Sequence, residues 1–465
     1  MKQFVACVVG ALLGASGMHA TASTTAPASS VQWRLSDDPQ AVLEVFDGKR
    51  FVPIGVIDRS TDTWSAGNSP ELHGAEGHCV PDSNDTAAVQ AFLDSVADGG
   101  SGSWNGCYNI DEGALVLTPP AHATLVSTGA FKTYAAPHIA GNAMFIARGT
   151  GSGPMLSITN PSQATGNGTF YAGGSIGNLT FIDRTRSGLT SRHGLLIQGL
   201  YDWSFGQIIG QDLAGSAVYT SKKTVNGDPD AFGSGKNAFR AIVCSRCNRP
   251  SFDAEDLGEG GESIGFIASY GNGPSSAVQS NGGMVNAGQG TSVESLSASM
   301  TRGWGVTFGG PRAHGSRQNL HGVELDATEN GIWVGALLQS VISGRIIYDP
   351  VPPSKIVWPL TAIKLGGMGS QVRDVTLHFI IRIDPGTTLK NVVEAGTLID
   401  LSKDPNLIDD EIDLTVLDNA NLGIFAADRL RGAAAQLIKN VNPLAQVRVR
   451  INGQVVMDTL AKPAR

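Results

Sequence analysis

From about residue 106 onward the chain breaks into short strand-like pieces separated by Gly, Asn, Asp and Ser. Among them are Ser175 to Ile182, Gly194 to Gln198, Ser204 to Ile209, Gly265 to Ala268, Gly305 to Phe308, Gly322 to Asp326, Gly331 to Val334 and Ala362 to Leu365. Many read as a polar turn, then Gly, an apolar residue, any residue and a second apolar residue. A sandwich of hairpins needs tight-turn dipeptides at regular intervals, whereas the later Asn-Gly pairs are irregularly spaced and the good hairpin signal is Asn452-Gly453, between two alternating runs. Parallel coils fit better. In a parallel β-helix, coils of about 20–30 residues stack, inward side chains form apolar columns, and loops enter at the turns without disturbing the stack. With 59 Gly in 465 residues, the chain is well supplied with residues that accept positive φ at tight corners.

Helical patterning is sparse. Val89, Phe92, Leu93 and Val96 make one apolar stripe behind Asp85, a candidate N-cap, and Gly99-Gly100 closes the segment. A second short helix is expected over residues 433–438, followed by a hairpin around Asn452-Gly453. Lys2, the apolar run from Phe4 to Gly17 and the small residues Ala20 and Ala22 have the form of a cleaved secretory signal. The run is shorter than the roughly 20 apolar residues that span a bilayer, and no later segment reaches that length. The predicted organisation is a signal over 1–22, a linker and small β-hairpin module turning at Asp47-Gly48 over 23–78, a parallel β-helix over 79–425, and a C-terminal cap over 426–465.

Export places the four remaining cysteines in an oxidising compartment, where disulfides are plausible. Cys79 with Cys107 would staple the region before the main body. Cys244 and Cys247 have redox-motif spacing without the βαβ context of a thioredoxin-like site, so a local disulfide or two buried thiols is the expectation. A net charge of −8 and the lack of a Lys/Arg-rich stretch disfavour nucleic acid and anionic membrane surfaces as partners. Neutral or weakly charged ligands remain.

The helix Asn84 to Leu93, then Gly106-Cys-Tyr-Asn-Ile110, Leu115-Val-Leu-Thr-Pro119 and Leu125 to Gly129, resembles the leading segment of the pectate-lyase-like superfamily. That superfamily comprises right-handed parallel β-helices, among them phage tailspike depolymerases and exported polysaccharide lyases and hydrolases. The resemblance covers roughly residues 80–400 and implies an all-β parallel β-helix, a helix capping its open end, a polysaccharide substrate and a homotrimer. Leu43 to Gly55 is similar to small repeats of phage tail fibres. Tyr348 to Ile356 is similar to a stretch of the β-helical inulin fructotransferases, without a matching catalytic segment.

Aligning the coils on their apolar residues places Phe252, Val293 and Val323 in one inward column, each followed by a carboxylate: Asp253, Glu294 and Glu324. Strand side chains alternate faces, so these three are expected outward, with Glu255 and Asp326 two residues on. Carboxylates one rung apart, about 4.8 Å, would approach the spacing of a retaining glycosidase pair, and two rungs that of an inverting pair. Crowding would raise one pKa, as a general acid requires. The alternative is a solvated acidic face. Tyr270, Trp304 and Trp333 are candidate stacking platforms for sugar rings, and Arg312 and His314 could hold an anionic sugar. Asp253 to Glu262 is dense in carboxylates but lacks the spacing of known calcium loops, so no metal and no cofactor is expected.

No zincin, P-loop or dinucleotide fingerprint is present in the sequence. The leading expectation is an exported glycoside hydrolase acting through carboxylates among Asp253, Glu255, Glu294, Glu324 and Asp326. A polysaccharide lyase using His314, His321, Arg312 or Arg345 is the alternative, and a non-catalytic glycan-binding tail-fibre-like protein the third.

Overall fold

The computed structural model describes residues 33–35, 40–46, 51–58, 63–66, 68–118, 122–126, 129–133, 136–159, 173–183, 192–200, 202–221, 235–254, 262–272, 281–286, 291–309, 318–351, 356–369, 371–394 and 396–460. The signal segment, Glu255, Arg312 and His314 lie outside these. The chain divides into two units, Met1–Ala66 and Gly67–Arg465. In the first, Trp33–Leu35, Gln40–Phe46, Phe51–Asp58 and Thr63–Ala66 form an antiparallel sheet in chain order. The hairpin expected around Asp47-Gly48 is its central pair.

The second unit is a parallel β-helix. Apart from the antiparallel pair His122–Val126 and Gly129–Thr133, its strands fall into a 16-stranded sheet, here sheet 1, and an 11-stranded sheet, sheet 2, and the chain visits them in turn. Almost every strand bonds in parallel to its counterpart one coil earlier. In sheet 1 the register runs Ser175, Ser204, Ala238, Ser263, Ser292, Asn319, Val341. A coil can be as short as the 21 residues from Glu324 to Arg345 (345 − 324), or as long as the 41 from Val116 to Ser157 (157 − 116). The excess over the shortest coil enters at the corners, where insertion does not disturb the stack.

The inward columns are apolar from coil to coil. Ile176, Phe205, Phe239, Ile264, Val293, Leu320 and Ile342 stack in sheet 1, all buried. Leu156, Leu195, Val218 and Phe252 begin the matching column of sheet 2, and the register leads on to Val306, Ile332 and Ile363. Aromatic rings bridge the two: Phe239 stacks on Phe205 with centroids 4.7 Å apart and tilts against Phe252 at 6.2 Å.

Strict alternation fails at one repeated place. From Ser175–Ile182 to Asn319–Asp326, successive sheet 1 strands bury their second and fifth residues, with two residues between instead of one. This stacked bulge ends where Leu320 pairs with Ile342 but Val323 with Gly344. Gly322, at φ +60, supplies the left-handed backbone that the bulge needs there. Consequently Val293 and Val323 do not share a column. Val293 lies on Leu320, Val323 lies on Leu296, and Phe252 belongs to the other sheet.

The helix Thr86–Val96 forms where the apolar stripe places it and buries Val89, Phe92, Leu93 and Val96. Asp85 does not cap it with its side chain; its carboxylate instead accepts backbone N–H groups of Glu76 at 2.8 Å and Asn109 at 3.0 Å, and Asn84 accepts from Thr86 N at 3.1 Å. At the other end the helix Ala427–Leu437 starts earlier than the apolar spacing suggested and buries Leu430, Ala433 and Leu437. Val447–Ile451 adds in parallel to Asp410–Asp418 and pairs antiparallel with Gln454–Asp458, the hairpin expected at Asn452-Gly453. Cys79 is bonded to Cys107, and Cys244 to Cys247. Cys244 lies in the inward column directly over Gly210, where a Cβ would come within 2.6 Å of the Cys244 sulfur. Only glycine fits beneath the disulfide.

Asp410, at the start of its strand, is buried with one oxygen accepting the Val375 N–H at 3.1 Å and the other unpartnered. Burial first, then Asp374 and Asp409, push its pKa up to about 8 despite that hydrogen bond and one from Ile408. A folded value above the unfolded one means stability is full below the ordinary carboxylate range and is lost as pH rises towards 8. Asp410→Asn keeps the acceptor and removes the ionisation. The variant is expected to match the parent in thermal melting near pH 4 and to melt several degrees higher at pH 9.

Candidate functional site

The last residues of the sheet 1 strands form an outward row at one edge. Gln211, Ser245, Tyr270, Ser299 and Asp326 lie in register on consecutive coils, and Asp326 continues to Ile347 and Arg382. Tyr270 is 54% exposed and stands two rungs, about 9.6 Å, from Asp326. The strand bearing Ile347 is longer than its predecessors and runs on through Tyr348 to Asp349; its neighbour runs through Ile383 to Asp384, whose N–H donates to Tyr348 O at 3.0 Å. Asp349 is paired directly across from Trp358 in a short antiparallel excursion, which puts a half-buried indole on the carboxylate's face.

Three aspartates and one arginine thus gather at the ends of three adjacent coils, and their environments differ. Burial first, then Asp349, raises the pKa of Asp326; Glu324 and Asp384 add to the rise and Arg382 opposes it. Asp349 is raised likewise, by burial and by Asp384. Asp384 goes the other way. Arg382 donates from Nε to its Oδ1 at 2.7 Å and from Nη2 to its Oδ2, a bidentate fork that holds the carboxyl below the usual range. One edge therefore carries carboxyls that hold a proton more tightly than usual beside one that stays ionised, the separation that acid/base work on a glycosidic bond uses.

The residues singled out from sequence divide accordingly. Asp326 and Tyr270 share the row, and Glu324 stands on the same face, in register with Arg345. Glu294 is exposed but lies before the bulge, three residues or about 10 Å along the strand from the level of Glu324. Asp253 is on sheet 2 and fully buried: Arg249 Nε donates to it at 2.9 Å and Ser216 Oγ at 3.4 Å. Beside it Tyr219 stacks flat on His193 at 4.2 Å. Burial, then Arg249, lowers that imidazole to about 3, and its Nδ1 accepts from Ser216 N. The column of Asp253, Glu294 and Glu324 therefore does not exist, because one member faces out from another sheet and the other two are separated by the bulge. His321 is exposed with Nδ1 near Ser343 Oγ at 3.3 Å, remote from Asp384 in register. Trp304 and Trp333 come together on the outer face of sheet 2, centroids 5.6 Å apart, away from the carboxylate row.

Asp349, Asp384, Arg382 and Trp358 escaped the sequence reading. One signal was present: Asp349-Pro350 and Asp384-Pro385 recur one coil apart at the same register. Among the described residues no cluster of His, Cys, Asp and Glu could hold a metal ion, and no helix is long and apolar enough to cross a membrane.

Comparison with known proteins finds structural similarity to phage tailspike proteins. Tailspike protein 3 of bacteriophage CBA120 matches at 12% identity over 93% of this chain and 68% of that one, with a TM-score of 0.35. The ORF18 protein of Geobacillus virus E2 matches at 9% identity over 89% of this chain and 68% of that one, with a TM-score of 0.39. No protein-family model and no curated protein matches the chain. The β-helix assignment stands on the strand registers themselves.

Proposed function

We propose that this protein is an exported polysaccharide depolymerase that hydrolyses glycosidic bonds at the Asp326–Asp384 edge of sheet 1. The observation that carries the reading is the divergence of the carboxyl groups: Asp326 raised by burial and its acidic neighbours, Asp384 held ionised by the Arg382 fork. In this scheme Asp326 protonates the leaving oxygen, with Asp349 sharing the proton. Asp384 supplies the negative charge that activates water or stabilises the oxocarbenium-like transition state. Asp384 stands two rungs from Asp326 and two residues beyond its register level, wider than the roughly 5 Å of a retaining pair, so the scheme works through water. Tyr270 and Trp358 flank the carboxyls, positioned to stack sugar rings on either side of the cleaved bond.

The test is incubation with a panel of neutral and acidic bacterial and plant polysaccharides, reading reducing ends and unsaturated-uronate absorbance in the same wells. New reducing ends without absorbance are expected. Absorbance would replace hydrolysis by elimination, and glycan binding without either product would leave a non-catalytic receptor-binding role. The homotrimer implied by the superfamily resemblance belongs to the same proposal. Light scattering should then give about three times the 48.3 kDa chain mass, less any removed signal.

A further inference from the structure

On the outer face of sheet 2, Trp304 and Trp333 pack at 45° with centroids 5.6 Å apart. Lys364 lies in register beside Trp333, and its Nζ sits 4.1 Å from the Trp333 centroid and 5.9 Å from that of Trp304. The chain thus places its own ammonium where a two-indole cage would hold a cation. Trp333 is fixed by its Nε1–H, which donates to Gly366 O at 2.9 Å.

The ammonium is not neutralised. Among the described residues Lys364 takes part in no hydrogen bond and no ion pair, although it is half-buried and carries three donors. The nearest carboxylate in register is Asp400, on the next coil, and it is committed elsewhere: its Oδ1 accepts from Ser402 N at 2.8 Å and Asn440 Nδ2 at 2.9 Å. Trp304 is also half-buried, and its indole N–H has no partner among the described residues. A half-buried lysine whose ammonium lies against two rings, with no counter-anion among the described residues, is a poor structural element but a prepared anion receptor.

We infer that Trp304, Trp333 and Lys364 form a second saccharide-binding platform, separate from the carboxylate row, that takes a carboxylate-bearing sugar such as a hexuronate. The apolar face of the pyranose lies on the Trp304 indole, its carboxylate meets Lys364, and the Trp304 N–H donates to a hydroxyl. The inference rests on the depolymerase reading only in taking a glycan as ligand, and it involves no bond cleavage.

The experiment is titration of uronate oligosaccharides and of matched neutral oligosaccharides into the Asp326→Asn variant, followed by tryptophan fluorescence and calorimetry. The parent binds the acidic ligand more tightly, and Lys364→Met, which keeps the aliphatic packing on the rings, weakens it about tenfold while leaving neutral ligands unchanged. Trp304→Ala weakens both, and free acetate competes only at far higher concentration than a uronate oligosaccharide. Equal binding of acidic and neutral ligands, or an unchanged acidic affinity in Lys364→Met, overturns the inference. So does acetate competing as well as the oligosaccharide. Because no turnover is read, these results stand apart from the outcome of the hydrolysis assay: platform binding can fail while reducing ends appear, and the reverse.

Discussion

Asp326→Asn should lower the rate of polysaccharide hydrolysis by about 10²–10⁴-fold, the usual worth of a positioned general acid, while leaving thermal stability unchanged or slightly improved. The second half follows from the electrostatics. Asp326 is held partly out of water beside Asp349, Glu324 and Asp384, so its ionised form is disfavoured in the folded state and the attraction of Arg382, lost with the charge, is outweighed. Asp384→Asn should cost activity to a similar extent and also release the Arg382 fork, with a modest drop in melting temperature. Rates from reducing-end assays, set beside melting curves for each variant, check both. A variant that loses activity only in proportion to lost fold would place Asp326 outside the chemistry.

Phe239→Ala is expected to have the largest effect on stability of any single truncation in the stack, about 3–5 kcal/mol. The ring is 2% exposed, stacks at 9° on Phe205 from the preceding coil, and reaches across the interior to Phe252 on sheet 2. Removing it opens a cavity between two sheets whose strands are held in register by neighbours on both sides, so the walls cannot close in. Each coil depends on contact with the next, and a void in the middle of the stack is felt on both sides. Denaturant unfolding measures the loss. A Phe239→Leu variant, which retains much of the volume, should recover more than half of it.

The β-helix was legible because its cause is repetitive. Gly, apolar, any, apolar recurs coil after coil, and the pieces picked out at Ser175 to Ile182 and Ser204 to Ile209 are strands that stack, Ile176 on Phe205. Tyr270 and Asp326 could be singled out one at a time, as an aromatic close in sequence to the acidic coils and a carboxylate at an outward position. Their alignment could not, since it depends on the bulge. Two residues between buried neighbours, as in Val293 and Leu296, look in sequence like a strand followed by a turn, and the glycines that recur at the bulge, Gly177, Gly206, Gly265 and Gly322, are hard to tell from corner glycines. Asp253 misled for another reason: outward parity says nothing about what lies over the sheet, and Arg249 covers it. Asp349 and Asp384, each followed by proline, read as turn punctuation. Only the parallel register of their strands, a contact between residues one coil apart, turns two turn signals into neighbouring carboxyls.

The most direct test of the split between Asp326 and Asp384 is the pH dependence of kcat/KM for the parent and for Asp326→Asn. Activity needs Asp384 ionised and Asp326 protonated. It should therefore rise as pH passes a value below the usual carboxylate range and fall as pH passes one above it. In Asp326→Asn the residual activity should keep the acid limb and lose the alkaline one. An alkaline limb that persists unchanged in the variant, or a parent profile flat across the carboxylate range, would contradict the assignment of Asp326 as the proton donor.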